Sequence, residues 1–219
     1  RKYLKHMNTF DYIIQHGNAL NESGVGFDAI SNELIEDSQF SLNPSLHQAV
    51  FWILGEESSL GETLNPAEQQ ALSQYLSTGG KLFISGAEIA WDLDFLGNSA
   101  DQAFYNNTLM TSYTADDANT YTANGVAGSP YANITNLQVD DGTGETYEVE
   151  FADVLSPLAA ASSCLQYLGN QSACTYVDTG TYQVIHLGFP FETITAESMR
   201  NDVMAETLNY FAIPFYSDV

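Results

Sequence analysis

The chain is predicted to fold as an α/β domain, three layers deep, around a mostly parallel sheet, and three observations carry that expectation. Two continuous apolar runs, residues 49–54 (AVFWIL) and 81–85 (KLFIS), have the length of strands buried on both faces. Between them lies one helix with its start and stop signals in place. Asn65 is the N-cap, Pro66 stands where a missing N–H costs nothing, Glu68 closes an Asn-x-x-Glu capping box, and Gly79-Gly80 supplies the exit. Leu72, Tyr75 and Leu76 share one face of that helix, so it can lie on the sheet. A right-handed crossover then sets the two strands parallel.

The remaining elements follow in order. Asn8-Thr9 can cap a helix over residues 9–20, with Tyr12, Ile13, His16 and Leu20 near helical spacing, and a short strand is expected at 27–30. Residues 31–48 are polar and read as a loop with one turn of helix. After the central unit the pattern changes. A helix over 101–109 leads into short alternating runs separated by Asp116-Asp117, Asn124-Gly125 and Asp140-Asp141-Gly142, so 101–180 reads as a β-rich insertion. Within it TYEVEF (146–151) alternates as a half-exposed strand should. The sheet resumes at 181–187, and a helix after Thr195 carries Met199, Val203, Met204, Leu208 and Phe211 on one face.

One gap stands out. A helix at 9–20 needs a strand before it to cross over from, and Lys2 to His6 is too short and too basic for a buried central strand. The sheet is therefore expected to lack a strand at its N-terminal end, filled by a separate segment, a partner chain or residues upstream of Arg1.

Composition narrows the partners. With 219 residues and 44% hydrophobic content the chain can build one substantial domain with a real core. It carries 28 acidic against 5 basic residues, and from residue 6 onward only Lys81 and Arg200 are cationic, which excludes nucleic acid and anionic membrane surfaces. No apolar run reaches the ~20 residues of a membrane span. Cys164 and Cys174, the two cysteines, are expected to close a disulfide in an oxidising compartment, which points to secretion.

The carboxylates that follow the predicted strands are the chemistry to weigh. In open α/β sheets ligands gather at those carboxyl ends. Glu56, Glu57, Glu88, Asp92, Asp94 and Glu192 all lie there. Packed carboxylates raise one another's pKa unless a cation, a shared proton or hydrogen-bond donors hold them. Three uses compete. They cap helix and loop N–H groups; Glu88, Asp92 and Asp94 ligate a hard cation such as Ca²⁺; or Glu57, Glu88 and Asp92 serve a two-carboxylate hydrolase. Ser85 and His186 near strand ends form a candidate Ser-His pair, set against a core serine and a core histidine, since no G-x-S-x-G elbow surrounds Ser85. Trp91 is the better candidate for stacking on a sugar, because Trp52 sits inside a strand. No Gly-rich phosphate loop precedes a helix, so no organic cofactor is expected.

WILGEES (52–58), SGAEIAWDLD (85–94), Phe104-Tyr105-Asn106, DDANTY (116–121) and LGFPFETI (187–194) together resemble a family of secreted bacterial domains labelled xanthan lyase or golvesin-C-terminal-like. That resemblance implies a class I glutamine-amidotransferase-like, flavodoxin-like α/β fold, a module of a larger exoprotein, and a strand just before Arg1. The turn Ile84-Ser85-Gly86-Ala87-Glu88 lacks the cysteine nucleophile of amidotransferases. The expectation is an extracellular, non-catalytic or vestigial module serving interaction or scaffolding, with contact to carbohydrate. Its partners would be other domains or chains of the same exoprotein. The alternative is a polysaccharide- or peptidoglycan-degrading hydrolase or lyase.

Overall fold

The computed structural model describes residues 12–214. α1 (Ile13–Glu22) and the one-turn α2 (Glu33–Glu36) lead into β1 (Val50–Gly55), α3 (Pro66–Ser77) and β2 (Lys81–Gly86). A π-helical turn over Trp91–Leu96 and α4 (Ser99–Asn107) follow. Six strands come next: β3 (Thr111–Ala115), β4 (Thr122–Gly125), β5 (Leu137–Gln138), β6 (Val154–Pro157), β7 (Ser162–Tyr167) and β8 (Ser172–Asp178). β9 (Gln183–Leu187), a 3-10 turn at Phe191–Thr193 and α5 (Glu197–Tyr210) close the described chain.

The central unit forms as its sequence dictates. The Asn65 side chain accepts from the N–H groups of Ala67 (2.9 Å) and Glu68 (3.1 Å), and Glu68 returns a carboxylate to the Asn65 N–H (2.7 Å). β1, β2 and β9 run parallel, with Trp52 beside Ile84 and Ile84 beside His186. Alternation along these strands feeds two cores. Phe83, Ile185 and Leu187 meet α1 and α5 on one face, while Leu82, Ile84 and Val184 meet α3 and α4 on the other.

The sheet as a whole is not the one expected. It is mixed, nine strands in the order β1-β2-β9-β8-β7-β4-β5 with β6 and β3 branching from β8. Only β1, β2 and β9 are parallel; every other pairing is antiparallel. Nine strands against five α-helices among the described residues, curled into a half-barrel, replace the three-layer, mostly parallel, flavodoxin-like and amidotransferase-like architecture. The cause is local. The turn at Gly169-Asn170 returns the chain at once, with the Tyr167 N–H on the Gln171 carbonyl (2.8 Å), and so tight a return pairs strands antiparallel. The stretch read as an insertion therefore supplies six of the nine strands of a single sheet.

Two predicted strands are absent. Residues 27–30 are irregular; the Phe27 ring lies against α1 instead, where a Cβ on Gly17 would fall 2.8 Å from it. TYEVEF is irregular too. Its alternation arises because Tyr147 and Val149 point inward over the strand ends, Val149 being buried. β1 is the terminal strand of the order, and among the described residues nothing pairs with its outer edge. Trp52, expected in a central strand, is accordingly half-buried. Lys2 to His6 and the cap at Asn8-Thr9 lie outside the described residues. Cys164 on β7 and Cys174 on β8 form the expected disulfide, with Cα atoms 5.3 Å apart. No described helix is long and apolar enough to cross a membrane.

Candidate functional site

Glu56 leaves β1, Glu88 leaves β2 and Glu192 leaves β9, so the three parallel strands present their carboxylates at one end of the sheet. Residues 146–153 cross that end. The Asp153 N–H donates to the carbonyls of Gly188 (2.8 Å) and Ala87 (3.1 Å), which ties the crossing chain to the exits of β9 and β2. Its side chains then meet two separate sets of carboxylates.

The first set is buried under α1. Glu192 is fully buried; one oxygen accepts from the Tyr147 hydroxyl (2.6 Å) and the other lies 3.4 Å from His16 Nε2. His16, also fully buried, packs on Phe191 with ring centroids 4.5 Å apart. Tyr12 and Tyr147 are in contact at 5.2 Å. Half-buried Glu56 has its pKa pushed up to about 7 by burial first, then by the charges of Glu150 and Glu192. Tyr12 and Tyr147 are raised by burial and by the same carboxylates. Glu192 is thus sealed from solvent beneath Tyr147 and His16.

The second set surrounds the π-helical turn. Fully buried Asp153 accepts from the N–H groups of Ala90 (2.7 Å) and Trp91 (3.3 Å), capping that turn. Burial holds its carboxyl well above the usual range, and the charges of Glu88 and Asp116 add to that. Asp92 accepts from the Thr63 N–H and hydroxyl, both at 2.8 Å; Asp94 accepts from the Tyr113 N–H and Asn106 Nδ2, both at 2.7 Å. Half-buried Glu88 is raised by burial, and by Asp116 and Asp92, against a lowering bond from the Ser58 hydroxyl. Asp116 is raised by burial and then by Asp117, and its Oδ1 is buried without a hydrogen-bond partner. Glu57 closes the turn after β1 through its N–H on the Leu54 carbonyl (3.0 Å), and its side chain is partnered.

The Ser-His pair does not form. Ile84 and Ser85 are paired with His186 and Leu187 respectively, so Ser85 and His186 point to opposite faces of the sheet. Ser85 is fully buried. His186 faces Tyr105, whose hydroxyl lies 3.4 Å from Nδ1, and burial pushes its pKa down to about 3. Nor do Glu88, Asp92 and Asp94 converge as calcium ligands: among the described residues no three His, Cys, Asp or Glu side chains are placed to hold a metal ion. A concavity between α3 and α4, lined by Pro66, Gln69, Asn98, Asp101 and Phe104, contains none of the candidate carboxylates.

What the second set does border is an aromatic ledge. Trp91 and Phe95, one helical turn apart, stack at 4.5 Å and 20°, and Tyr113 from β3 closes the triangle at 5.1 Å from Phe95 and 5.8 Å from Trp91. Phe95 is 55% exposed and Leu96 52%, against the apolar norm of burial. The turn ends at Gly97 because a Cβ there would lie 2.1 Å from the Leu93 carbonyl oxygen. Trp91, the residue expected to stack on a sugar, stacks here on Phe95, while Phe95, Tyr113, Asp116, Tyr147 and Asp153 were not singled out from sequence. The Trp91/Phe95 spacing was the one signal available; the others arrive from distant segments.

No family model matches the chain, and no curated protein matches its sequence. Solved structures do match in fold. The cold-adapted β-galactosidase of Rahnella sp. R3 superposes with a TM-score of 0.61 at 13% identity, over 93% of this chain and 27% of that one. The β-galactosidase of Bacillus circulans sp. alkalophilus gives 0.60 at 12% identity, over 94% and 28%. The mmIFT52 N-terminal domain gives 0.50 at 15%, over 87% and 83%. The chain therefore spans about a quarter of the β-galactosidases it matches, and the likeness is one of fold.

Proposed function

We propose that this chain is a non-catalytic accessory module of a larger extracellular protein, making its contact with carbohydrate through the Trp91–Phe95–Tyr113 ledge. The observation that carries the reading is how the strand-end carboxylates are used. Asp92, Asp94 and Asp153 accept from backbone N–H groups, and Glu192 is sealed beneath Tyr147 and His16. Carboxylates committed to the backbone build loops; they do not converge on a substrate. The loops they build hold three mutually packed rings, Phe95 exposed and Trp91 and Tyr113 half-buried beside it. Exposed aromatic faces are what pyranose rings stack on. The fold's recurrence as about a quarter of β-galactosidase chains supports a module within a larger carbohydrate-acting protein. The disulfide supports an oxidising compartment.

One observation favours the hydrolase alternative: half-buried Glu88 and Asp116, charge-coupled, both have raised pKa values. Calorimetric titration with soluble oligosaccharides, run beside an assay for new reducing ends, separates the two. The accessory reading expects saturable binding, its loss in Phe95→Ala, and no new ends. Release of reducing ends that Glu88→Gln abolishes would replace it with the hydrolase.

A further inference from the structure

The three rings of the ledge come from two segments, the π-helical turn and β3, and two carboxylates fix how those segments meet. Asp153 is fully buried. Its Oδ2 accepts from the Ala90 N–H at 2.7 Å and its Oδ1 from the Trp91 N–H at 3.3 Å, so it grips the turn at its first residue. Asp153 is itself anchored by three bonds: its N–H donates to the carbonyls of Gly188 (2.8 Å) and Ala87 (3.1 Å), and its carbonyl accepts from the Tyr167 hydroxyl (3.3 Å). Asp94 lies within the turn, one residue before Phe95. Its Oδ2 accepts from the Tyr113 N–H and its Oδ1 from Asn106 Nδ2, both at 2.7 Å, while its carbonyl accepts from Gln102 Nε2 at 2.9 Å. Among the described residues β3 pairs with β6 alone, and its register shifts between Tyr113 and Ala115, beside the N–H that Asp94 takes. One carboxylate thus sets Trp91, and the other sets Tyr113 against the turn that carries Phe95.

We infer that Asp153 and Asp94 are the positioning residues of the ledge: they set the spacing and tilt of Trp91, Phe95 and Tyr113, and through those rings the affinity for a saccharide, without touching the sugar. This rests on the carbohydrate reading above. The chemistry suits the task. A carboxylate accepts from an N–H more strongly than a neutral oxygen does, and burial removes the water that would compete for it. A ring whose plane is already held binds better than one that must be ordered on binding. Asparagine keeps the size of aspartate but turns one acceptor into an NH₂ donor, so Asp153→Asn and Asp94→Asn each exchange one clamp for a donor facing a donor. Asp140 supplies the comparison. It is buried too and accepts from the N–H groups of Gly142 (2.9 Å), Gly144 (2.8 Å) and Thr146 (2.9 Å), in a loop that carries none of the three rings.

The test is calorimetric titration of the whole chain with a soluble oligosaccharide, paired with the indole N–H signals of Trp91 and Trp52 in a ¹H–¹⁵N spectrum. Asp153→Asn and Asp94→Asn should each weaken binding about tenfold, the loss expected of one charge-assisted hydrogen bond, and should move the Trp91 signal while that of Trp52 stays. Asp140→Asn should lower the melting temperature and leave the affinity and both signals in place. Asp94 is half-buried, so its variant carries the test if Asp153→Asn does not fold. Unchanged affinity in a folded variant overturns the proposal and leaves the carbohydrate reading standing. An equal loss in Asp140→Asn overturns it as well, since the effect would then be one of stability. If the natural chain binds no oligosaccharide the carbohydrate reading falls, and the Trp91 signal alone decides the positioning: unmoved in both variants, it overturns that too.

Discussion

Glu56 is the residue whose environment makes the plainest demand. Its folded pKa of about 7 stands above its ordinary 4.5, so the stability it contributes is fully present below the ordinary value and is lost as pH rises through 7. Glu56→Gln keeps the neutral shape at every pH. The melting-temperature difference between Glu56→Gln and the natural chain should be near zero at about pH 5 and positive at about pH 8; an equal difference at both would remove Glu56 from the account. His186 acts with the opposite sign, its pKa lowered by burial to about 3, so its contribution is present above the ordinary 6.5 and lost as pH falls. The two windows overlap, which is why the variant comparison and not the raw pH profile is decisive. At this scale the sequence was partly legible. Carboxylates at strand ends could be counted, but their partners come from distant segments: Thr63 for Asp92, Tyr113 and Asn106 for Asp94, and Tyr147 for Glu192. The Ser85/His186 question turned on the register between β2 and β9, which side-chain types alone do not encode.

Elements with their own chemistry were read most closely. The Asn65–Glu68 capping box was visible as four letters, and α3 begins where it says. Asn65→Ala should lower stability by about 1 kcal/mol in urea unfolding, with the slope unchanged. The β7–β8 hairpin is stapled by Cys164–Cys174, and replacing both cysteines with Ala should cost about 3 kcal/mol by the loop-entropy argument. A loss below about 1 kcal/mol would mean that the unfolded chain is already compact there. TYEVEF failed as a strand for an instructive reason. Alternation reports which side chains turn inward, and Tyr147 and Val149 do so to reach Glu192 and the core without any neighbouring strand to pair with. Residues 27–30 failed likewise, because Phe27 had a closer apolar surface under Gly17 of α1.

At the scale of the whole molecule, two apolar runs around a helix determined two parallel strands, which β9 joins as a third, and extending that rule to the whole sheet was the error. Pairing direction beyond β9 is decided by turn lengths and distant partners, such as the single Leu155–Ser172 pairing that attaches β6 to β8. The surface is dominated by a net charge of -23, with both described cations bound to backbone carbonyls. Screening should therefore raise the melting temperature between low and moderate salt; a flat response would show that the acidic residues are already neutralised by sharing protons. The same geometry that spends Asp92, Asp94 and Asp153 on the backbone packs Trp91, Phe95 and Tyr113 together, the ledge proposed above to meet carbohydrate. The most direct test is a two-dimensional ¹H–¹⁵N spectrum of the labelled chain, recorded through a titration with a soluble oligosaccharide. The account predicts shifts centred on Trp91, Phe95, Leu96, Tyr113 and Asp116, saturating together, with α3 and α5 unmoved. Saturating shifts centred instead on Glu56, Tyr147 and Glu192, or on the concavity between α3 and α4, would contradict it.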